Sequence, residues 1–139
     1  MTTVFFYGLF MDVALLREQG FHPERVRLAV LHGYGLRIGD RATLERSETE
    51  QCYGTLIELE QAELERLYSG DSVAAYRPSP VEAREMDGRA VAAVCYLLPM
   101  SQVSGSNHDY ARQLASVAGK LNLPGDYIDE IETWIRPSA

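Results

Sequence analysis

Cysteine is scarce in this 139-residue chain. There are two, Cys52 and Cys95, with no CxxC pair and no His or Cys neighbour at metal-ligand spacing. A zinc site and a disulfide framework are therefore not suggested, and each thiol sits in a strand-like segment where reduced cysteine packs as a small hydrophobe. The three histidines, His22, His32 and His108, stand at no ligand spacing either, so no metal is expected. Positive charge is in deficit: thirteen Lys and Arg face twenty Asp and Glu, a net charge of −7. The arginines of the first third (Arg17, Arg25, Arg27, Arg37, Arg41, Arg46) alternate with acids and form no basic patch, which argues against a nucleic-acid partner. No run of about 18 apolar residues is present and no basic segment precedes a long apolar one, so neither a membrane span nor a signal peptide is expected and the chain reads as cytoplasmic. GxGxxG, P-loop, GxSxG and HExxH signatures are all missing, which leaves carboxylates, tyrosines and backbone amides to carry any chemistry.

What is present begins at the N-terminus. A β-rich run, Thr3 to Tyr7, stops at Gly8 and gives way to a helical stretch from Met11. A strand feeding a helix through a glycine turn exposes backbone N–H groups, a seat for a carboxylate or phosphate. Length and composition, 46% hydrophobic and 24% charged, fit one globular domain over residues 1–139. Further strands are expected at Arg25 to Leu31, Tyr34 to Ile38, Ala42 to Leu44 and Gln51 to Leu59, the last with Gly54 marking a bulge or a close backbone approach. Val81 to Ala83 and Ala90 to Leu98 flank Asp87-Gly88 as a hairpin. Helices are expected at Asp12 to Gln19, Gln61 to Tyr68, Asp109 to Leu121 and Asp126 to Ile135, from their apolar spacing and flanking glycines. Ser101 to Asn107 is the one flexible stretch, placed to border a pocket.

The order of short segments resembles γ-glutamylcyclotransferase-like proteins. Phe6-Tyr7-Gly8-Leu9-Phe10-Met11 is similar to that family's Tyr-Gly-Ser-Asn-(Leu/Met) loop, and His32 to Leu36 to a later strand pair. Tyr53-Gly54-Thr55-Leu56-Ile57, Leu64 to Leu67, Tyr76-Arg77-Pro78 with Val81-Glu82, and Tyr110 with Leu121 to Pro124 and Tyr127 follow in the family's order. The resemblance implies an α+β fold: a mixed, mainly antiparallel sheet curled into a small barrel and flanked by about four helices. It also implies a cofactor-independent acyltransferase or lyase. In such an enzyme the free α-amine of a γ-glutamyl amine or peptide attacks its own γ-carbonyl, giving 5-oxoproline and a free amine, while a carboxylate moves the proton. The implied partner is a small γ-glutamyl compound or related anionic ligand. The oligomeric state is not indicated.

Two departures bear on that activity. After its Leu-x-x-Leu helix the family reads Asp-x-x-Glu-Gly, whereas this chain reads Leu67-Tyr68-Ser69-Gly70-Asp71. Asp71 falls at the glutamate position, one methylene shorter, which draws its oxygens back by about 1.5 Å, and about 1 Å of misplacement costs on the order of 100-fold. Asp71 is thus the candidate acid/base, with Glu82 as a substitute if its strand turns it inward. The ordinary alternatives are a helix-terminal turn residue for Asp71 and a solvated strand position for Glu82. Leu9 and Phe10 replace the loop's small polar pair, which makes the pocket mouth more apolar and favours a leaving amine less polar than that of glutathione. Tyr7, Gly8, Leu9, Phe10, Tyr76, Arg77 and Tyr110 are the candidate substrate-binding residues; core tyrosines and an exposed arginine salt bridge are the plainer roles for the last three. The rival to cyclisation is a non-catalytic module on the same fold that binds a small ligand or a partner.

Overall fold

A computed structural model describes residues 1–71 and 73–135; Ser72 and 136–139 lie outside the described residues. Five strands form a closed barrel in the order β1-β3-β2-β4-β5, where β1 is Thr2–Phe6, β2 Glu24–Ile38, β3 Ala42–Leu59, β4 Arg77–Glu85 and β5 Ala90–Leu97. Four helices flank it: α1 Val13–Glu18, α2 Gln61–Leu67, α3 His108–Lys120 and α4 Gly125–Glu132. This is the mixed, mainly antiparallel small barrel with four helices that the sequence led us to expect. The mixed character comes from one parallel contact, Val4 of β1 beside Val94 of β5.

Four of the expected strands are in fact two. Arg25 to Leu31 and Tyr34 to Ile38 belong to one strand, β2, which continues through an irregularity between His32 and Tyr34 where Gly33 takes φ +86°. Ala42 to Leu44 and Gln51 to Leu59 likewise merge into β3, because the intervening polar run Glu45 to Glu50 is a largely solvent-facing continuation of the same strand. Arg37 on β2 binds this run, its Nε 3.1 Å from Glu45 Oε1 and its Nη2 2.8 Å from Glu50 Oε2. β4 begins earlier than Val81 and contains Pro78 and Pro80. It pairs along its length with β5 but with β2 only at Arg84 and Glu85, so the prolines face no β2 partner that would need their missing N–H groups.

Helix ends follow ordinary capping chemistry. The Asp12 carboxylate accepts the Ala14 N–H at 3.0 Å and starts α1. Asn107 does the same for α3 through Tyr110 N–H at 2.9 Å. Asn122, at φ 57°, ends α3. Glu63 in α2 is buried, and its Oε2 accepts the His22 N–H at 2.8 Å, fastening the segment before β2 to this helix. Leu114, Val117 and Ala118 of α3 and Tyr127 and Ile131 of α4 are buried in one core with Phe5, Leu31, Leu56 and Ile57 of the barrel.

Two details bring the barrel together beside the end of β1. Gly54 of β3 allows the close approach expected of it: a Cβ there would collide with the Phe6 carbonyl oxygen and come within 2.8 Å of the Phe5 ring. Thr43, fully buried near the start of β3, donates to the Leu98 carbonyl at 2.8 Å and accepts the Leu98 N–H at 2.9 Å. This seam ties the tip of the β2–β3 hairpin to the segment leaving β5. Thr43→Val keeps the shape and leaves two buried main-chain groups without partners, so it is expected to cost about 2–4 kcal/mol in urea unfolding, with Thr43→Ser retaining most of the stability. A Thr43→Val protein as stable as wild type would show that the seam does not hold the hairpin tip.

Candidate functional site

Beyond Tyr7 the chain makes a single 3-10 turn, Leu9–Met11, before α1 starts at Val13. The glycine turn therefore does not open directly into an α-helix, and the start of α1 is already capped by its own Asp12. Against this turn lies a cavity of about 370 Å³. Six of its fourteen lining residues are aromatic: Phe6, Tyr7, Phe10, Tyr68, Tyr76 and Tyr110. Gly8, Leu9, Leu15, Ala42, Val73 and Asn107 complete the wall with two charged residues, Asp40 and Arg41.

The aromatic groups hold one another in place. Tyr68 stacks on Tyr96, with centroids 3.9 Å apart and planes 9° from parallel, and meets Phe10 edge-on at 6.2 Å; Phe10 in turn meets Phe6 edge-on at 5.9 Å. Several hydroxyls are engaged by the main chain. Tyr7 Oη donates to the Tyr96 carbonyl at 2.7 Å, Tyr76 Oη donates to the Ala42 carbonyl, and the Leu9 backbone hydrogen-bonds to the Tyr110 hydroxyl. Gly8 lets the loop lie against this phenol: a Cβ there would stand 2.5 Å from the Tyr110 oxygen, so a larger residue would have to displace it. Burial pushes the phenols of Tyr7, Tyr68 and Tyr110 up and that of Tyr76 to about 12, so all four are neutral near pH 7.

The charged residues sit on the tip of the β2–β3 hairpin. Asp40 and Arg41 pair at 3.6 Å, with side chains 47% and 31% exposed. The 99–107 segment fixes the tip: the Asp40 N–H donates to the Ser104 carbonyl at 2.6 Å, the Ser104 N–H to Asp40 Oδ1 at 3.2 Å, and Arg41 Nη2 to the Gln102 carbonyl at 3.3 Å. Asn107 Nδ2 adds a bond to the Asp40 carbonyl at 3.3 Å. Gly39 permits this contact, since a Cβ there would lie 2.6 Å from Val103 and 2.8 Å from the Ser104 oxygen.

Of the residues singled out in the sequence, Tyr7, Gly8, Leu9, Phe10, Tyr76 and Tyr110 come together around this cavity. Three do not. Asp71 is exposed on the turn after α2, outside the cavity lining. Glu82 is exposed on β4 beside buried Ala83, so it lies on the outward side of the strand. Arg77 is exposed and donates to the Ala74 carbonyl at 2.9 Å. Sequence reasoning missed Asp40, Arg41 and Tyr68, whereas Asn107 ends the Ser101 to Asn107 stretch expected to border a pocket. The Gly39-Asp40 pair between apolar strand residues is a turn signal, but only the curl of the hairpin over β1 places it at the cavity. Among the described residues no group of three or more His, Cys, Asp or Glu is placed to hold a metal ion, and no helix is long and apolar enough to cross a membrane.

The model of the AIG2-like family matches residues 51–131, more than half of the chain. The chain belongs to the AIG2-like family. Its fold is that of γ-glutamylcyclotransferase-like proteins, the group to which the ordered segments pointed. A solved γ-glutamyl cyclotransferase superimposes with a TM-score of 0.76 at 17% identity, covering 99% of this chain and 89% of that one. An uncharacterized protein from Homo sapiens gives 0.78 at 18% identity, again over 99% and 89%. YkqA from Bacillus subtilis gives 0.77 at 22% identity, over 96% of this chain and 54% of its own. No curated protein sequence matches this chain significantly. At these identities the structural likeness establishes the fold of this AIG2-like protein, while its function depends on the site.

Burial also pushes the thiols up, Cys95 to about 12 and Cys52 well above its ordinary value. Each raised group stays protonated in the folded chain while its unfolded counterpart ionises, from about pH 8.5 for thiols and about pH 10 for phenols. Stability is therefore complete below that range and falls as pH rises toward 12. Urea midpoints measured across this range should decline with rising pH, and tyrosinate absorbance in the native protein should lag behind that in urea. Coincident native and unfolded titrations would contradict the buried phenols.

Proposed function

We propose that this AIG2-like protein binds a small molecule with a neutral apolar or aromatic body in the cavity beside the Gly8 turn. The observation that carries this reading is the cavity wall, built from aromatic residues whose tyrosine hydroxyls are largely engaged by the main chain. Such a surface favours an uncharged body, because a charge moved among rings loses its water without gaining a partner. The exposed positions of Asp71 and Glu82 support binding over cyclisation through either residue, since an acid/base must reach the nitrogen whose proton it takes.

One observation favours a second reading, the Asp40 carboxylate in the lining. A γ-glutamyl amine oriented with its α-ammonium toward Asp40 would give up a proton there. The freed amine would then form a bond to the γ-carbonyl carbon as the original amide C–N bond breaks, with the proton passing to the departing amine. The products are 5-oxoproline and the free amine.

Both readings are tested with the full chain. Phenethyl alcohol, a neutral aromatic probe, should produce saturable shifts in the resonances of Phe10, Tyr68 and Tyr110. A panel of γ-glutamyl amines and peptides should release no 5-oxoproline above the uncatalysed rate. Release abolished by Asp40→Asn, Asp71→Asn or Glu82→Gln would make the protein a cyclotransferase and identify its acid/base. Unmoved cavity resonances would remove the binding reading.

A further inference from the structure

Resting on the binding reading, we infer that the ligand is an α-amino-acid-like zwitterion. Its ammonium and carboxylate stay at the cavity mouth against Asp40 and Arg41, while a neutral aromatic or branched side chain enters among Phe10, Tyr68 and Tyr110. Three features of the cavity lead to this orientation.

The first is where charge sits. Asp40 and Arg41 are the ionised residues in the lining, and both are partly exposed, whereas Phe6 and Tyr7 are only 3% and 6% exposed. A charged ligand end therefore meets charge and water at the mouth, and an uncharged end meets rings within.

The second is that the mouth carries both signs. A ligand bearing a lone cation or a lone anion meets one attraction and one repulsion from two charges 3.6 Å apart, and these largely cancel. Opposite charges on two substituents of one carbon, as in an α-amino acid, can lie antiparallel to the Asp40–Arg41 pair and gain from both. The ammonium meets Asp40 as it would in cyclisation, but a neutral aromatic or branched side chain offers no γ-carbonyl for the amine to attack, so this ligand is held rather than cyclised.

The third is preorganisation. Ser104, Asn107 and Gln102 hold the hairpin tip through four hydrogen bonds besides the charge pair itself, so little order has to be imposed when a ligand arrives. The Tyr76 hydroxyl on the Ala42 carbonyl fixes the next residue.

Calorimetric titration of the full chain with four probes of one body tests this: phenethyl alcohol, phenethylamine, hydrocinnamate and L-phenylalanine. L-phenylalanine should bind about tenfold more tightly than each of the others, the effect of one charge-assisted contact. Asp40→Asn should remove most of that advantage, so that within the variant L-phenylalanine binds about as tightly as phenethyl alcohol. Arg41→Gln, read the same way, decides the matter should Asp40→Asn disturb the hairpin tip. If L-phenylalanine binds no better than phenethyl alcohol, the zwitterion assignment is wrong and the cavity reading stands. If none of the four binds, both fall.

Discussion

The parallel contact between Val4 of β1 and Val94 of β5 turns a five-stranded sheet into a barrel, and the position of the site depends on it. A sheet closes only if its strands bend and stagger, and the register shifts of this sheet fall in the pairing of β2 with β3. Gly33 lets β2 change direction, and Gly54 lets β3 pass close to the carbonyl at the end of β1. The hairpin tip then arrives beside the turn that follows β1, where Thr43 locks it to Leu98 through two buried hydrogen bonds. Asp40 and Arg41 reach the cavity by this route, although more than thirty positions separate them from Gly8 in the chain.

The same closure shapes the cavity. Tyr7 at the end of β1 and Tyr76 just before β4 each donate to a main-chain carbonyl on another strand or its flank, so their hydroxyls cross-link the barrel end. Their rings remain to line the space between. Buried phenols with satisfied donors are tolerated because they stay neutral, and their raised pKa values and the apolar wall have one cause, the exclusion of water. A site of this kind selects first by shape and by the absence of charge in the inserted part, and the charged mouth adds orientation.

Much of the fold was legible locally. Gly20 marks the end of α1 by its left-handed backbone, and the spacing of Leu114, Val117 and Ala118 marks the buried face of α3. The merged strands were not legible, because Glu45 to Glu50 reads as a loop until its pairing with Arg37 and with β2 is known. β4 was shortened by Pro78 and Pro80, whose tolerance depends on which neighbour each strand edge has. For the candidate site, the residues flanking Gly8 were readable because they are contiguous. Asp40 and Arg41 join them only through tertiary folding, and Tyr68 was passed over as the last residue of a helix.

Tyr68 bears on the choice between binding and catalysis. It stands one residue after Leu67, where the resemblance to γ-glutamylcyclotransferase-like proteins would put an aspartate, and Asp71 stands where that resemblance would put a glutamate. In this chain the aromatic side chain at the first of these positions lines the cavity, stacked on Tyr96, and the carboxylate at the second is exposed. Beside Asp71 the chain is held in a turn by Val73 N–H on the Gly70 carbonyl, followed by Tyr76 N–H on the Val73 carbonyl, while Val73 itself joins the lining. Bringing Asp71 inside would require breaking this turn and displacing an apolar side chain in favour of a carboxylate among neutral rings. Desolvation opposes such a move, because the cation in the lining, Arg41, already pairs with Asp40. The aromatic residue at position 68 and the outward position of Asp71 therefore act together, and both favour a pocket that holds a neutral body over one that takes a proton at its centre.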